Sequence, residues 1–431
     1  MQLPIFKKNH KLNPQDIMAG RRVVVTGIGA LTPVGNTAPE FWNGLVSGKS
    51  GVRTIEHFDT TDYPTKFAGQ IENYDSSNFF ERKEGRRLDN VSQYGLITAD
   101  EAIEDSGIEL DKINKDKVAV IVGTGIGGMK TFYDQSVSHH EHGPRGVNPF
   151  FIPMLIPDMP AGHISIKYGF RGANYCAVSA CATGSQNIGL AYDTIKYGQA
   201  DMAVCGGTES PVWQIGVSGF SSMKALSRRN DEPAKASRPF DKDRDGFVLG
   251  EGAAMMFIES LESALERGAR IYGEIVGYGF SADAHHITAP DPEGNGVTLA
   301  LNGALEMAGI TTEDIDHINM HGTSTPLGDL AESNTIKKVF GDHAYNINLN
   351  STKSMTGHML GAAGAAESIA ALLTTYHGII PPTINQETPD PECDLNYTPN
   401  ESVARDVKYA MNNAFGFGGH NTTLIFKKFD D

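Results

Sequence analysis

Cys181 stands in Ala-Val-Ser-Ala-Cys-Ala-Thr-Gly, where a beta-prone run, Asn174 to Ser179, breaks into small residues. Ala180, Ala182 and Gly184 leave room for a sharp turn and for a substrate to come close. Apolar Ile188, Ala191, Tyr192 and Ile195 follow at three-four spacing and predict an amphipathic helix. A thiol at a helix start faces the positive end of the dipole, which favours its thiolate. A small core residue would look the same in this stretch. Partners are available downstream: His321 opens His-Gly-Thr-Ser-Thr-Pro, and Lys353 and His358 bound Lys-Ser-Met-Thr-Gly-His. His321 follows the strand-like Ile315 to Met320, and Lys353 follows the strand-like Asn346 to Ser351. Gly416-Phe417-Gly418-Gly419-His420-Asn421 is a further glycine loop near the C-terminus. Glycine-rich loops that carry a thiol and two imidazoles point to nucleophilic chemistry.

Other motifs lack their context. Gly123-Thr124-Gly125-Ile126-Gly127-Gly128 follows a strand, but Ser138 to Pro144 reads as a polar loop where a dinucleotide fold needs helix and strand. Asp241-Lys242-Asp243-Arg244-Asp245-Gly246 opens like a calcium loop, yet Gly252 stands where its last carboxylate belongs. Salt bridging is the better expectation for that run. His139, His140 and His142 match no common zinc spacing.

The elements that position these residues alternate between strand and helix, an α/β pattern. Arg22 to Thr26 reads as a strand ending at Gly27-Ile28-Gly29. Val118 to Val122 and Ala200 to Cys205 are apolar throughout, which suits a sheet covered on both faces, and each leads into a glycine loop. The chain repeats itself. Ala102 to Ile108 leads to a strand and Gly123-Thr124-Gly125; Ala304 to Ile310 leads to a strand and His321-Gly322-Thr323. The helix after Cys181 ends in Tyr197-Gly198, and the one after His358 (Ala365 to Tyr376) in His377-Gly378. A duplicated α/β unit follows, with halves at 21–270 and 271–431 after an extension at 1–20.

The chain's 431 residues, 40% hydrophobic and 20% charged, suit a globular protein with more than one small core. A net charge of −16 argues against a nucleic-acid scaffold. Cys176, Cys181, Cys205 and Cys393 form no metal or disulfide spacing, which suits a reducing compartment. No apolar run has the length of a membrane span, and the N-terminus has no secretory core, so a cytoplasmic location is expected.

Together these residues resemble the beta-ketoacyl-acyl carrier protein synthases, the condensing enzymes of fatty acid synthesis, and most of all the type II elongating enzymes. Ser237-Arg238-Pro239-Phe240-Asp241, Arg244-Asp245-Gly246-Phe247-Val248 and the Cys181, His321, His358 and Gly416 motifs occur in the family's order, from about Arg21 to Lys428. The resemblance implies a thiolase-like fold, two α/β halves in five α-β-α-β-α layers, and a homodimer. It implies Cys181 as acylated nucleophile, His321 and His358 as the histidine pair, Lys353 beside them, and Glu367 supporting from behind. It implies Phe417 as gate, its N–H joining that of Cys181 in an oxyanion hole, and Thr323 and Thr325 on the phosphopantetheine arm. Ile126 and Phe220 match acyl-pocket positions; Lys83, Arg86, Arg87, Arg145 and Lys224 match a basic dock for acidic acyl carrier protein. No metal or resident cofactor is implied. The histidine pair separates elongating synthases from the Cys-His-Asn initiating type and from thiolases. The chain departs at Ala182-Thr183, where many relatives have Thr-Ser, and at His420, where others often have Thr.

Overall fold

The computed structural model describes residues 20–430, so the expected N-terminal extension lies, but for Gly20, outside the described residues. A 10-stranded mixed sheet organises them. The first half supplies β1 (Val23–Leu31), β2 (Val118–Gly123), β3 (Asn174–Tyr175), β4 (Met202–Glu209) and β5 (Gly252–Ser260). The second supplies β6 (Gly273–Ala282), β7 (His317–Asn319), β8 (Asn348–Asn350), β9 (Tyr409–Gly416) and β10 (His420–Lys427). Their order is β8-β7-β9-β10-β6-β1-β5-β4-β2-β3. Outward from the β6–β1 junction, each half therefore runs first, fifth, fourth, second, third. Directions repeat too: antiparallel for β1–β5–β4 and β6–β10–β9, parallel for β4–β2–β3 and β9–β7–β8. The expected duplication is complete down to strand polarity, and the halves join where Val23–Val25 pair with Gly273–Ile275.

The helices that position the site follow the same plan: α1 (Asn90–Asp105), α2 (Met159–Tyr168) and α3 (Thr183–Lys196), then α4 (Asn295–Ala308), α5 (Pro326–Phe340) and α6 (Ala363–His377). Helices α3 and α6 pack on each other between the two halves of the sheet. Helices α1 and α2 cover the outer face of the first half, and α4 and α5 that of the second. This gives the five layers. Every residue of α6 from Ala363 to Thr375 is buried, which is why it is rich in Ala, Ile and Leu on all sides.

Several boundaries differ from expectation for visible reasons. Strand β1 does not end at Thr26 but continues, through a bulge between Val25 and Gly27, to Leu31. Its glycines serve packing: a Cβ on Gly27 would lie 2.0 Å from the Ala102 carbonyl, and one on Gly29 2.1 Å from that of Thr98, both on α1. Strand β4 likewise runs on through Gly206-Gly207 to Glu209. The polar stretch at Ser138 is not a loop: it closes an exposed helix, Met129–His142, that Gly143 stops at φ +66°. The expected strand at Asn174–Ser179 forms only over Asn174–Tyr175, because the chain turns away to build the Cys181 site. The calcium-like run is salt-bridged, Arg238 to Asp241 at 3.0 Å and Arg244 to Asp390 at 2.5 Å. No described helix is long and apolar enough to cross a membrane.

Candidate active site

Cys181 sits in a tight turn, Ala180–Ala182, that runs directly into α3. Ala180 takes the left-handed conformation at φ +50°, strained for a residue with a Cβ, so the turn is held by its surroundings. One of these is Gly416 at the end of β9: a Cβ there would stand 2.5 Å from the Ser179 carbonyl and 3.1 Å from the Cys181 nitrogen. The next residue, Phe417, directs its backbone N–H at the Cys181 sulfur, as does Cys181 itself. The dipole argument from sequence is overridden: burial pushes the thiol up to about 12, against the pull of those N–H groups and of Lys353. The resting residue is a thiol, 8% exposed.

His321 and His358 meet this turn from the second half. Their ring centroids are 5.4 Å apart, the planes at 87°. Phe247 packs edge-on to His358 at 5.4 Å, and Phe415 lies 5.5 Å from His321. Burial, then the Lys353 ammonium, holds both imidazoles well below their ordinary range, so both are neutral near pH 7. Lys353 is off the cavity wall, 1% exposed, paired with Glu367 of α6 at 2.5 Å. Burial outweighs that ammonium and pushes the Glu367 carboxyl up to about 7. Cys181, His321 and His358 line one cavity of about 480 Å³, with Phe220, Thr323, Thr325, Phe417 and Lys224. The Thr323 and Thr325 hydroxyls are 3.0 Å apart on its wall.

A buried thiol, two neutral imidazoles and two N–H groups at the sulfur are the groups that acyl transfer would need. The comparisons give the family. The model of the beta-ketoacyl synthase N-terminal domain matches residues 20–264, and that of the C-terminal domain residues 272–387. The chain belongs to the beta-ketoacyl synthase family. It is 48% identical over 409 residues to the 3-oxoacyl-[acyl-carrier-protein] synthase 2 of Synechocystis sp., covering 95% of this chain and 98% of that one. The protein of the same description from Staphylococcus aureus (strain COL) is also 48% identical, over 95% and 99% of the two chains. Among solved structures, a type II polyketide ketosynthase bound to its acyl-carrier protein matches with a TM-score of 0.89 at 34% identity, covering 95% and 100%. A beta-ketoacyl synthase from Burkholderia phymatum STM815 matches at 0.88 and 34%, with the same coverage.

Not every residue matched from the family's motifs lies at the centre of this family member. Ile126 is not on the cavity wall; its side chain is 37% exposed on the outside of the chain. Lys83, Arg86, Arg87 and Arg145 are exposed and away from the cavity lining, and Arg87 stacks on Phe150 at 4.6 Å. Lys224 is exposed at the cavity.

Two carboxylates escaped the reading by motif. Glu332 of α5 accepts the backbone N–H groups of His321 (2.8 Å) and Gly322 (2.9 Å), so it holds the histidine loop. Glu209 accepts from Thr124, Gly125, Ile126 and Gly361. The available signal was a glutamate closing the apolar run of β4; nothing in spacing ties Glu332 to His321 before the fold is known.

Proposed function

We propose that the protein is a 3-oxoacyl-[acyl-carrier-protein] synthase that lengthens an acyl chain by two carbons. The observation that carries this reading is the convergence of Cys181, His321 and His358 on one cavity, with two N–H groups at the sulfur. In the first half-reaction the Cys181 sulfur attacks the acyl thioester carbonyl. The N–H groups of Cys181 and Phe417 hold the resulting oxyanion, each worth roughly 3 kcal/mol. The carrier's phosphopantetheine sulfur leaves and takes the proton that Cys181 gives up. In the second half-reaction a malonyl thioester enters past Thr323 and Thr325 and loses carbon dioxide. Charge gathers on its thioester oxygen, where neutral His321 and His358 donate N–H bonds. The carbanion carbon attacks the acyl-Cys181 carbonyl, the bond from that carbon to the Cys181 sulfur breaks, the thiolate takes a proton from solvent, and the ketoacyl product stays on the carrier's thioester. Burial and the Lys353 ammonium keep the imidazoles neutral, and Lys353 does so without itself facing the cavity.

Acyl carrier protein as substrate carrier is supported by the curated relatives' names and by exposed Lys83, Arg86, Arg87, Arg145 and Lys224. A dimer is supported by β3, an edge strand whose residues are exposed, and by exposed Ile126, Tyr175 and Val178. Such a partner surface is where Ile126 would complete the acyl pocket beside Phe220. The chemistry needs no compartment, and the cytoplasm remains our reading. The structural neighbours support polyketide-type condensation as a second reading.

The test is to incubate the protein with acyl carrier protein and weigh it. An acyl increment that Cys181→Ala abolishes, followed by ketoacyl product on adding malonyl carrier protein, is expected. No increment would sink catalysis in favour of a carrier-binding subunit. Repeated condensation without reduction would favour the polyketide reading.

A further inference from the structure

The two halves place a matching turn at the head of their central helices. Ala180–Ala182 precedes α3 and Leu360–Ala362 precedes α6, with Ala180 at φ +50° and Leu360 at φ +48°. Gly361 is therefore the counterpart of Cys181. The strands opposite match as well: β4 and β9 are each 8 residues long, so Glu209 is the counterpart of Gly416. At the first turn a side chain, Cys181, meets a glycine. At the second a glycine meets a side chain: a Cβ on Gly361 would lie 2.7 Å from Glu209 Oε2 and 2.4 Å from the Gly125 nitrogen. The carboxylate fills the place that the thiol holds across the dyad.

Glu209 is 1% exposed and has no cationic partner among the described residues, yet each of its oxygens accepts two hydrogen bonds. Oε1 accepts from Thr124 Oγ1 at 2.5 Å and the Ile126 N–H at 3.2 Å. Oε2 accepts from the Gly125 N–H at 2.8 Å and the Gly361 N–H at 2.9 Å. The first three donors belong to the first half and the fourth to the second. Both sides touch the chemistry. A Cβ on Gly125 would lie 3.1 Å from the Ala180 carbonyl, so this loop backs the strained residue before Cys181. Gly361 follows Leu360, which shares the cavity wall with Cys181 and His358.

We propose that Glu209 is a positioning residue for the acyl-transfer centre: its carboxylate ties the loop behind Cys181 to the turn beyond His358 and so sets the distance between thiol and imidazoles. This rests on the functional reading above. Side-chain length matters more than charge on this account. Gln keeps the length and can still accept both glycine N–H groups through its oxygen, whereas its amide gives up the bonds that Oε1 accepts from the Thr124 hydroxyl and the Ile126 N–H. Asp keeps the charge but cannot span both sides.

The experiment compares E209Q, E209D and E209A for acyl transfer from carrier protein to Cys181. Expected is a kcat fall of about 10- to 100-fold in E209D and E209A with KM within about twofold, and E209Q within about fivefold of wild type. Wild-type kcat in E209D, or E209Q falling as far as E209D, overturns the proposal. Should E209A not fold, E209Q and E209D decide it, since both keep a polar group at the site. Alkylation of Cys181 by iodoacetamide needs no carrier and is expected to change in E209D but not in E209Q. If wild-type protein transfers no acyl group, the functional reading fails, and the alkylation series still tests Glu209.

Discussion

The two histidines owe their neutrality to burial first and to the Lys353 ammonium second. On the proposed mechanism a neutral imidazole donates N–H to the developing enolate oxygen without the charge by which an imidazolium would hold the malonyl carboxylate in place, so its pKa lies below the working pH. The acid limb of decarboxylation should therefore fall well below the ordinary histidine value of about 6.5. Lys353→Met removes the cation and leaves Glu367, which can only favour imidazolium, so the limb moves to higher pH. Carbon dioxide release from malonyl carrier protein, followed from about pH 8 downward, checks both statements. A wild-type limb centred near the ordinary value would rule out the neutral pair.

At the scale of elements, the site is an agreement between loop ends, and glycine decides how close they come. Gly416 lets the end of β9 lie against the Cys181 turn, where a Cβ would stand 2.5 Å from the Ser179 carbonyl. Gly416→Ala must push Phe417 and its N–H away from the sulfur. Acylation of Cys181, timed by mass spectrometry on protein that still melts cooperatively, should slow by about 100-fold. An unchanged rate would separate the Phe417 N–H from the chemistry. The same packing explains what sequence could tell. Cys181, His321 and His358 were legible because turns, glycines and a helix period mark them, and the duplication because helix and loop recur in order. The length of β1 and β4 was not, since Gly27, Gly29, Gly206 and Gly207 read as loop residues until the helices lying on them are known. Glu332 and Glu209 were hidden for a related reason: most of their partners are backbone N–H groups, which leave no side-chain pattern.

For the whole molecule, charge sets two behaviours. A chain of net charge −16 can hold an acidic carrier only through local positive residues. Reversing Lys83 and Arg86 to Glu should raise KM for acyl carrier protein by about tenfold, an effect that salt screens, and leave small acyl thioesters unaffected. Equal loss with both substrates would end the docking role. The second behaviour comes from the interior. Burial pushes the carboxyls of Glu101, Glu209, Glu251, Glu332 and Glu367 up to about 7, and Asp329 to about 6. Groups raised above their unfolded values bind more protons folded than unfolded, so their contribution is full in acid and is lost as pH rises through about 7. Buried His317, at about 4, with His321 and His358 works in the opposite sense: the folded state binds fewer protons, and stability falls as pH drops below about 6.5. The carboxyls outnumber the histidines and titrate first on acidification. Stability should thus rise as pH falls from about 8 to about 6, helped by relief of the negative net charge. Calorimetric melting at constant ionic strength reads this directly. Glu251→Gln, which removes one of the titrating groups, should flatten the slope. A melting temperature that falls over that interval would mean that these carboxyls are not raised.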